Sequence, residues 1–227
     1  MALVSQQEID AIHQKAGWGQ PLGVPATVFT IFSFICCAQG IGLGAAGGTM
    51  SHTTNLSFGI VQVILFIGFF FGSALLIKRN VNLPGQTYMI FAIAFGGVGG
   101  ASNIMAYLAA EGMIAYDPFV FGIVNMVIGI ILIIELPAYF HGTLVDWATS
   151  FLPCLGLLIY GITGMGLCPP ETVSALIFAA GVLFGLTGVG GMFVIASALL
   201  EGICAVPMGP VLFPKKDANA KNNRETN

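Results

Sequence analysis

The chain has 227 residues, of which 56% are hydrophobic and only 7% charged, where an ordinary soluble domain is about 25% charged. So few charges cannot clothe the surface of a water-soluble fold, and the composition points to an integral membrane protein. The net charge of -3 and the absence of a basic patch give no footing for nucleic-acid binding.

Residues 1–20 read as a cytosolic N-terminal arm. They are polar, carry Glu8 and Asp10, and lack the basic start and apolar core of a signal peptide. The first apolar segment, 21–44, opens on Pro21-Leu22-Gly23-Val24-Pro25, and proline suits a first helical turn, where its missing N–H costs nothing. Gly40, Gly44 and Gly48 have the small-residue spacing of a packed face. Segment two, 56–77, has Gln62 as its one strongly polar side chain and ends at Lys78-Arg79-Asn80. Asn82-Leu83-Pro84-Gly85 then predicts a turn. Segment three, 87–110, runs through Ala94-Phe95-Gly96-Gly97-Val98-Gly99-Gly100 to Asn103.

Asp117 and Pro118 read as the cap and first residue of segment four, 119–140, which holds Asn125, Glu135 and Pro137. A compact polar loop follows at 141–146. Segment five runs from 144 or 147 to 167, with Pro153 expected to bend it. Cys168-Pro169-Pro170-Glu171 makes a turn, and segment six covers 172–200. Pro207-Met208-Gly209-Pro210 breaks regular structure, and 205–227 read as a cytosolic tail, disordered from Lys215 onward. Each segment is long enough to cross a hydrocarbon core of roughly 30 Å as a helix. The period-two alternation of a membrane barrel is absent.

The glycine cluster of segment three recurs in segment six as Gly185-Leu186-Thr187-Gly188-Val189-Gly190-Gly191, and each cluster leads on to an acid, Glu111 and Glu201. The expected fold is all-α and polytopic: six transmembrane helices in one domain, 21–204, built as two inverted three-helix repeats of 21–112 and 117–204. In transporters of that plan, glycine-broken segments at matching positions point to the solute path. Gly96 with Gly100, and Gly181 with Gly185, have GxxxG spacing. Each cluster is therefore either a packing face or a locally unwound helix beside a pore. The seven Lys and Arg fall in the N-terminal arm, the second loop and the tail. The positive-inside rule then places both termini in the cytoplasm of a multi-pass protein in a cell-boundary membrane.

Polar side chains inside a bundle are costly and single out candidates. Gln39, Gln62, Asn103 and Asn125 either line a path for a small polar solute or bond helix to helix, and Gln62 leads them. Glu135 is the one acid inside a span; it is either a proton-coupling gate or a carboxylate that reaches to the interface. Glu111 and Glu201 read as helix-end residues, and His52 and His141 as loop residues. Cys36, Cys37, Cys154, Cys168 and Cys204 read as packing residues without metal-ligand spacing. There is no phosphate loop, zinc or haem histidine pair, or nucleophile constellation, so neither enzymatic activity nor a cofactor or metal is expected. No span carries Lys or Arg, which argues against a permanent anion site.

Several stretches bear a family likeness. Gln20-Pro21-Leu22-Gly23 resembles the Asn-Pro-Ala-Pro-Leu-Gly signature of the acetate uptake transporter (succinate–acetate permease) family, with Trp18 and Gly19 where the signature has Asn and Pro. Phe58-Gly59-Ile60-Val61-Gln62 is similar to that family's aromatic-Gly-Gly-x-x-Gln stretch. Lys78-Arg79 falls where it has a basic pair, and Glu201 with Val211-Leu212-Phe213-Pro214 is similar to its ending. The resemblance implies a homohexamer in the lipid bilayer whose protomers each hold a pore narrowed by helices one, three and five. It implies Phe91, or Phe95 in a competing alignment, as the aromatic residue of that constriction, with Phe29 and Leu157 beside it. The expected activity is a channel or transporter for a small monocarboxylate, acetate moving with a proton. The alternatives are a channel for urea, an amide or ammonia, and a non-transporting membrane subunit. Pro21, Leu22, Gly23, Phe29, Gln62, Phe91, Asn103 and Leu157 are expected along the substrate pathway, with Glu135 as the proton-coupling residue.

Overall fold

The computed structural model describes residues 22–42, 52–200 and 203–213. The N-terminal arm with Pro21, Gly44 and Gly48, the His52 side chain, Glu201 and the tail from Pro214 on lie outside the described residues. The described part is all-helical, and its six long helices are each apolar enough to span a membrane. They are α1 (Gly23–Gly40), α2 (His52–Lys78), α3 (Asn82–Ala110), α4 (Phe119–Glu135), α5 (Leu144–Gly164) and α6 (Pro170–Leu199). A short 3-10 turn, Leu136–Tyr139, extends α4.

Two boundaries differ from the sequence expectation for physical reasons. Asn82 to Gly85 do not form a separate turn; they are the first turn of α3, where Pro84 has no backbone partner to lose. The α-helix of segment four stops at Glu135, because Pro137 lies two residues on and cannot continue it. Pro118 rather than Asp117 takes the cap position of α4, and Asp117, one residue earlier, accepts the N–H of Phe119 at 2.9 Å. Asn80, Gly112 and Gly166 end α2, α3 and α5 in the left-handed region, with φ of 62°, 71° and 67°.

Neighbouring helices run antiparallel. The α2–α3 and α4–α5 turns lie at the end that carries Lys78 and Arg79, here the basic end. The α3–α4 and α5–α6 turns, with Glu111, Asp117 and Glu171, lie at the opposite, acidic end. The main packing pairs are α2 with α3, α1 with α6, α4 with α5, and α5 with α6. Three of these seams are glycine on glycine: Gly40 with Gly181, Gly59 with Gly100, and Gly122 with Gly164. Backbones meet there because no side chain stands between them. The two glycine clusters serve different neighbours. In α3, Gly96 and Gly100 face Phe66 and Val63 of α2; in α6, Gly185, Gly188 and Gly191 face Cys37, Phe34 and Thr30 of α1. They also differ in form. Ala92–Gly99 of α3 is a π-helix, whereas α6 stays α-helical through its cluster.

After α6 the chain turns back across the basic end. Leu144 and Val145 donate their backbone N–H groups to Pro210 O and Met208 O at 2.9 and 3.1 Å, and Phe213 N–H donates to Phe140 O at 3.1 Å. The Phe140 and Phe213 rings sit 5.2 Å apart. Residues 203–213 thus form a strap that holds the α4–α5 turn.

A side chain at Gly40 would place its Cβ 2.5 Å from Gly181 Cα, whereas Gly68 has nothing within 4 Å. Gly40→Val should therefore destabilise the purified protein by about 3 kcal/mol or more, as overpacked sites do. Gly68→Ala should be neutral or stabilising by up to about 1 kcal/mol through helix propensity. Thermal unfolding in detergent checks both; equal midpoints for the two variants would contradict the seam.

Candidate functional site

An aromatic seal closes the middle of the bundle. Phe29 of α1 lies 4.8 Å from Phe91 of α3, ring centre to ring centre, and Phe91 stacks on Phe95 at 5.4 Å with planes 6° apart. Phe95 meets Phe184 of α6 edge-on at 5.5 Å, and Phe184 lies 5.5 Å from Tyr160 of α5. Phe32, Phe69 and Leu157 join the same buried cluster. Each aromatic pair contributes about 0.5–1.5 kcal/mol beyond area burial. Gly156 makes room for Phe184, since a Cβ there would stand 2.7 Å from its ring.

A cavity lies on either side of the seal. The acidic-end cavity, about 550 Å³, reaches Phe95 and Leu157 and is lined by the amides of Gln39, Asn55, Gln62, Asn103 and Asn125. Gln39 Nε2 donates to Asn103 Oδ1 at 2.7 Å, and Asn103 Nδ2 donates to Gln62 Oε1 at 2.7 Å. This amide chain ties α1, α3 and α2 together and presents both donors and acceptors to the cavity. The basic-end cavity, about 320 Å³, reaches Phe29 and Phe91 and is lined by Thr87, Tyr139, Thr149, Ser150 and Asp146. Among the described residues no Lys, Arg or His lines either cavity, and Asp146 is the one charged group.

The π-helical stretch explains why α3 serves both cavities. Thr87, Phe91, Phe95, Gly99 and Asn103 recur every four residues, and all of them line one cavity or the other. Four-residue steps advance about 40° each around an α-helix, so four such steps would carry Asn103 roughly 160° from Thr87. The wider π turns of Ala92–Gly99 take up that drift and keep the stripe on one side.

The structure gathers most of the residues expected along a pathway. Leu22, Phe29 and Phe91 lie on the basic-end cavity, and Gln62, Asn103 and Leu157 on the acidic-end cavity. Gly23 opens α1 against Leu199, outside both linings, and Pro21 is outside the described residues. Phe91 and Phe95 both belong to the seal, one facing each cavity. Glu135 is half-buried and lines neither cavity. It reaches the basic-end cavity through Thr87, whose Oγ1 lies 2.9 Å from Glu135 Oε2.

Sequence reading missed Thr87 and Tyr139, whose hydroxyl donates to Thr87 Oγ1 at 2.7 Å. The four-residue stripe upstream of Phe91 is the signal that would have found Thr87. It also missed Asp146, which answers Thr143 in a capping box at the start of α5 while facing the cavity. No group of three or more His, Cys, Asp or Glu among the described residues is placed to hold a metal ion. The chain matches no family model and no curated protein.

Asn103→Leu removes the middle of the amide chain and leaves buried Gln62 and half-buried Gln39 without this partner. It should cost about 1–3 kcal/mol, the penalty for stranding buried polar groups. Unfolding of the variant in mixed micelles measures this, and a loss near zero would show that the three amides act independently.

Proposed function

We propose that the protein is a membrane channel or transporter, not an enzyme, that passes a small monocarboxylic acid, acetate, together with a proton. The observation that carries this reading is the pair of cavities, one at each end of the bundle, separated by an aromatic seal without a charged side chain. A bare carboxylate pays a large solvation cost to enter such a seal, while its neutral acid does not. Among the described residues the cavities offer an anion no cation, which again favours the uncharged form. The family resemblance of the sequence points to the same solute class.

A second reading, a channel for urea or another small amide, is favoured by the Gln39–Asn103–Gln62 chain, whose mixed donors and acceptors would serve such a solute. The inverted repeat rests on the recurring glycine cluster. The homohexamer rests on the resemblance, since the glycine seams Gly40–Gly181, Gly59–Gly100 and Gly122–Gly164 are used inside one bundle. The basic end is read as cytoplasmic, in a cell-boundary membrane.

Flux into liposomes, above that of protein-free vesicles, tests the function. Acetate flux without urea flux supports the first reading, urea without acetate the second, and neither leaves a non-transporting subunit. Phe91→Ala should admit propionate and succinate while acetate still passes, and Gln62→Leu should lower flux with the fold intact. If both variants stay folded and carry every solute as the parent does, these residues do not line the path. Orientation has a separate test. Cys204 is exposed beyond α6 at the basic end. In a Cys168→Ser background, an impermeant maleimide should reach Cys204 in inside-out vesicles and not in right-side-out ones; the reverse pattern would invert the topology.

A further inference from the structure

We propose that Thr87 relays a proton between Glu135 and a carboxylate held in the basic-end cavity. The relay rests on the proton-coupled reading above and assigns the residue that makes the coupling.

The argument is a count of hydrogens. A threonine hydroxyl has one hydrogen to give and two lone pairs to accept with. Thr87 Oγ1 faces three oxygens: Leu83 O at 2.9 Å, Glu135 Oε2 at 2.9 Å and the Tyr139 hydroxyl at 2.7 Å. Tyr139 donates to it. With Glu135 ionised, Thr87 gives its hydrogen to Oε2, and Leu83 O keeps its bond within the helix. With Glu135 protonated, the carboxyl gives its hydrogen to the second lone pair of Thr87, and Thr87 turns its own toward Leu83 O. Both protonation states of Glu135 are thus satisfied without any heavy atom moving.

Thr87 also stands between the acid and the solute. Thr87 and Tyr139 line the cavity, whereas Glu135 does not. The titratable groups around the cluster are Tyr139 on the same helical arm, Tyr88 on α3, and Asp146 and Cys154 on α5. In the transfer, a solute carboxylate in the cavity replaces Leu83 O as acceptor of the Thr87 hydrogen, and the Glu135 proton bonds to Thr87 Oγ1 as that hydrogen passes to the solute. Glu135 becomes a carboxylate, the solute a neutral acid, and Thr87 remains a hydroxyl whose new hydrogen already points at Glu135. Atoms and charge balance, and the reverse sequence returns the proton. The neutral acid is the species that the seal of Phe29, Phe91 and Phe95 can pass.

The test is the pH profile of acetate flux into liposomes, above protein-free vesicles, for the full chain and its Thr87→Val, Thr87→Ser and Glu135→Gln variants. At neutral pH, Thr87→Val and Glu135→Gln should lose flux by about tenfold or more, the low end of what a positioned proton donor supplies. Thr87→Ser, which keeps the hydroxyl, should stay near the parent. As the pH falls the solute arrives with its own proton, so the deficit should shrink. A packing role for Thr87 would leave the deficit constant across pH, and that result, or parent-like flux of Thr87→Val at neutral pH, overturns the relay. Should Thr87→Val fail to fold, Glu135→Gln decides by the same profile. If the parent carries no acetate at any pH, the transport reading itself fails and the relay falls with it.

Discussion

Where α3 crosses α2, Gly96 and Gly100 let the helices touch so closely that a methyl group at Gly96 would stand 2.5 Å from the Phe66 side chain. This contact fixes α3 along the same stretch that widens into a π-helix. The two features work together. Glycine removes the side chains that would hold the helices apart, and the wider turns bring Phe95, Gly99 and Asn103 round beside Thr87 and Phe91. The seal and both cavities follow from that one helix. In lipid no water is at hand to repair a strained backbone, so irregular helix geometry survives where protein packs against it. The α2 face supplies that packing.

The polar groups differ between the ends. Hydroxyls line both cavities, while the amides, which give and accept, line the acidic-end cavity and the carboxylate of Asp146 lines the basic-end one. Among the described residues neither cavity offers a cation to an anion.

How much of this was legible in the letters depends on the kind of signal. Six spans, their order and their rough ends could be read because hydropathy and helix length are local properties, and Pro118 marks the start of α4, whereas the reading ran through Pro137, which ends its α-helix. Gln62 and Asn103 stood out because each is a lone amide in an apolar run, and the structure brings them to one cavity wall. Phe91 and Phe95 came only from the resemblance, and both rings lie in the same buried aromatic cluster. Thr87 was passed over because a regular 3.6-residue period puts it almost opposite Asn103 on the helix, and only the four-residue stripe joins them. The glycine clusters could be found but not assigned. The Gly-Val-Gly-Gly that both share begins in the π-helical stretch of α3, which packs on α2, and lies in the regular helix α6, which packs on α1. The strap of 203–213 left no signal beyond its prolines, since its bonds run through backbone atoms.

That strap sets an order of events during synthesis. The N–H groups of Leu144 and Val145 find their acceptors in Pro210 and Met208, residues made only after α5 and α6. Until then those two groups lack their partners. The basic-end cavity therefore cannot take its final shape until the ribosome has delivered the last helix and the segment after it.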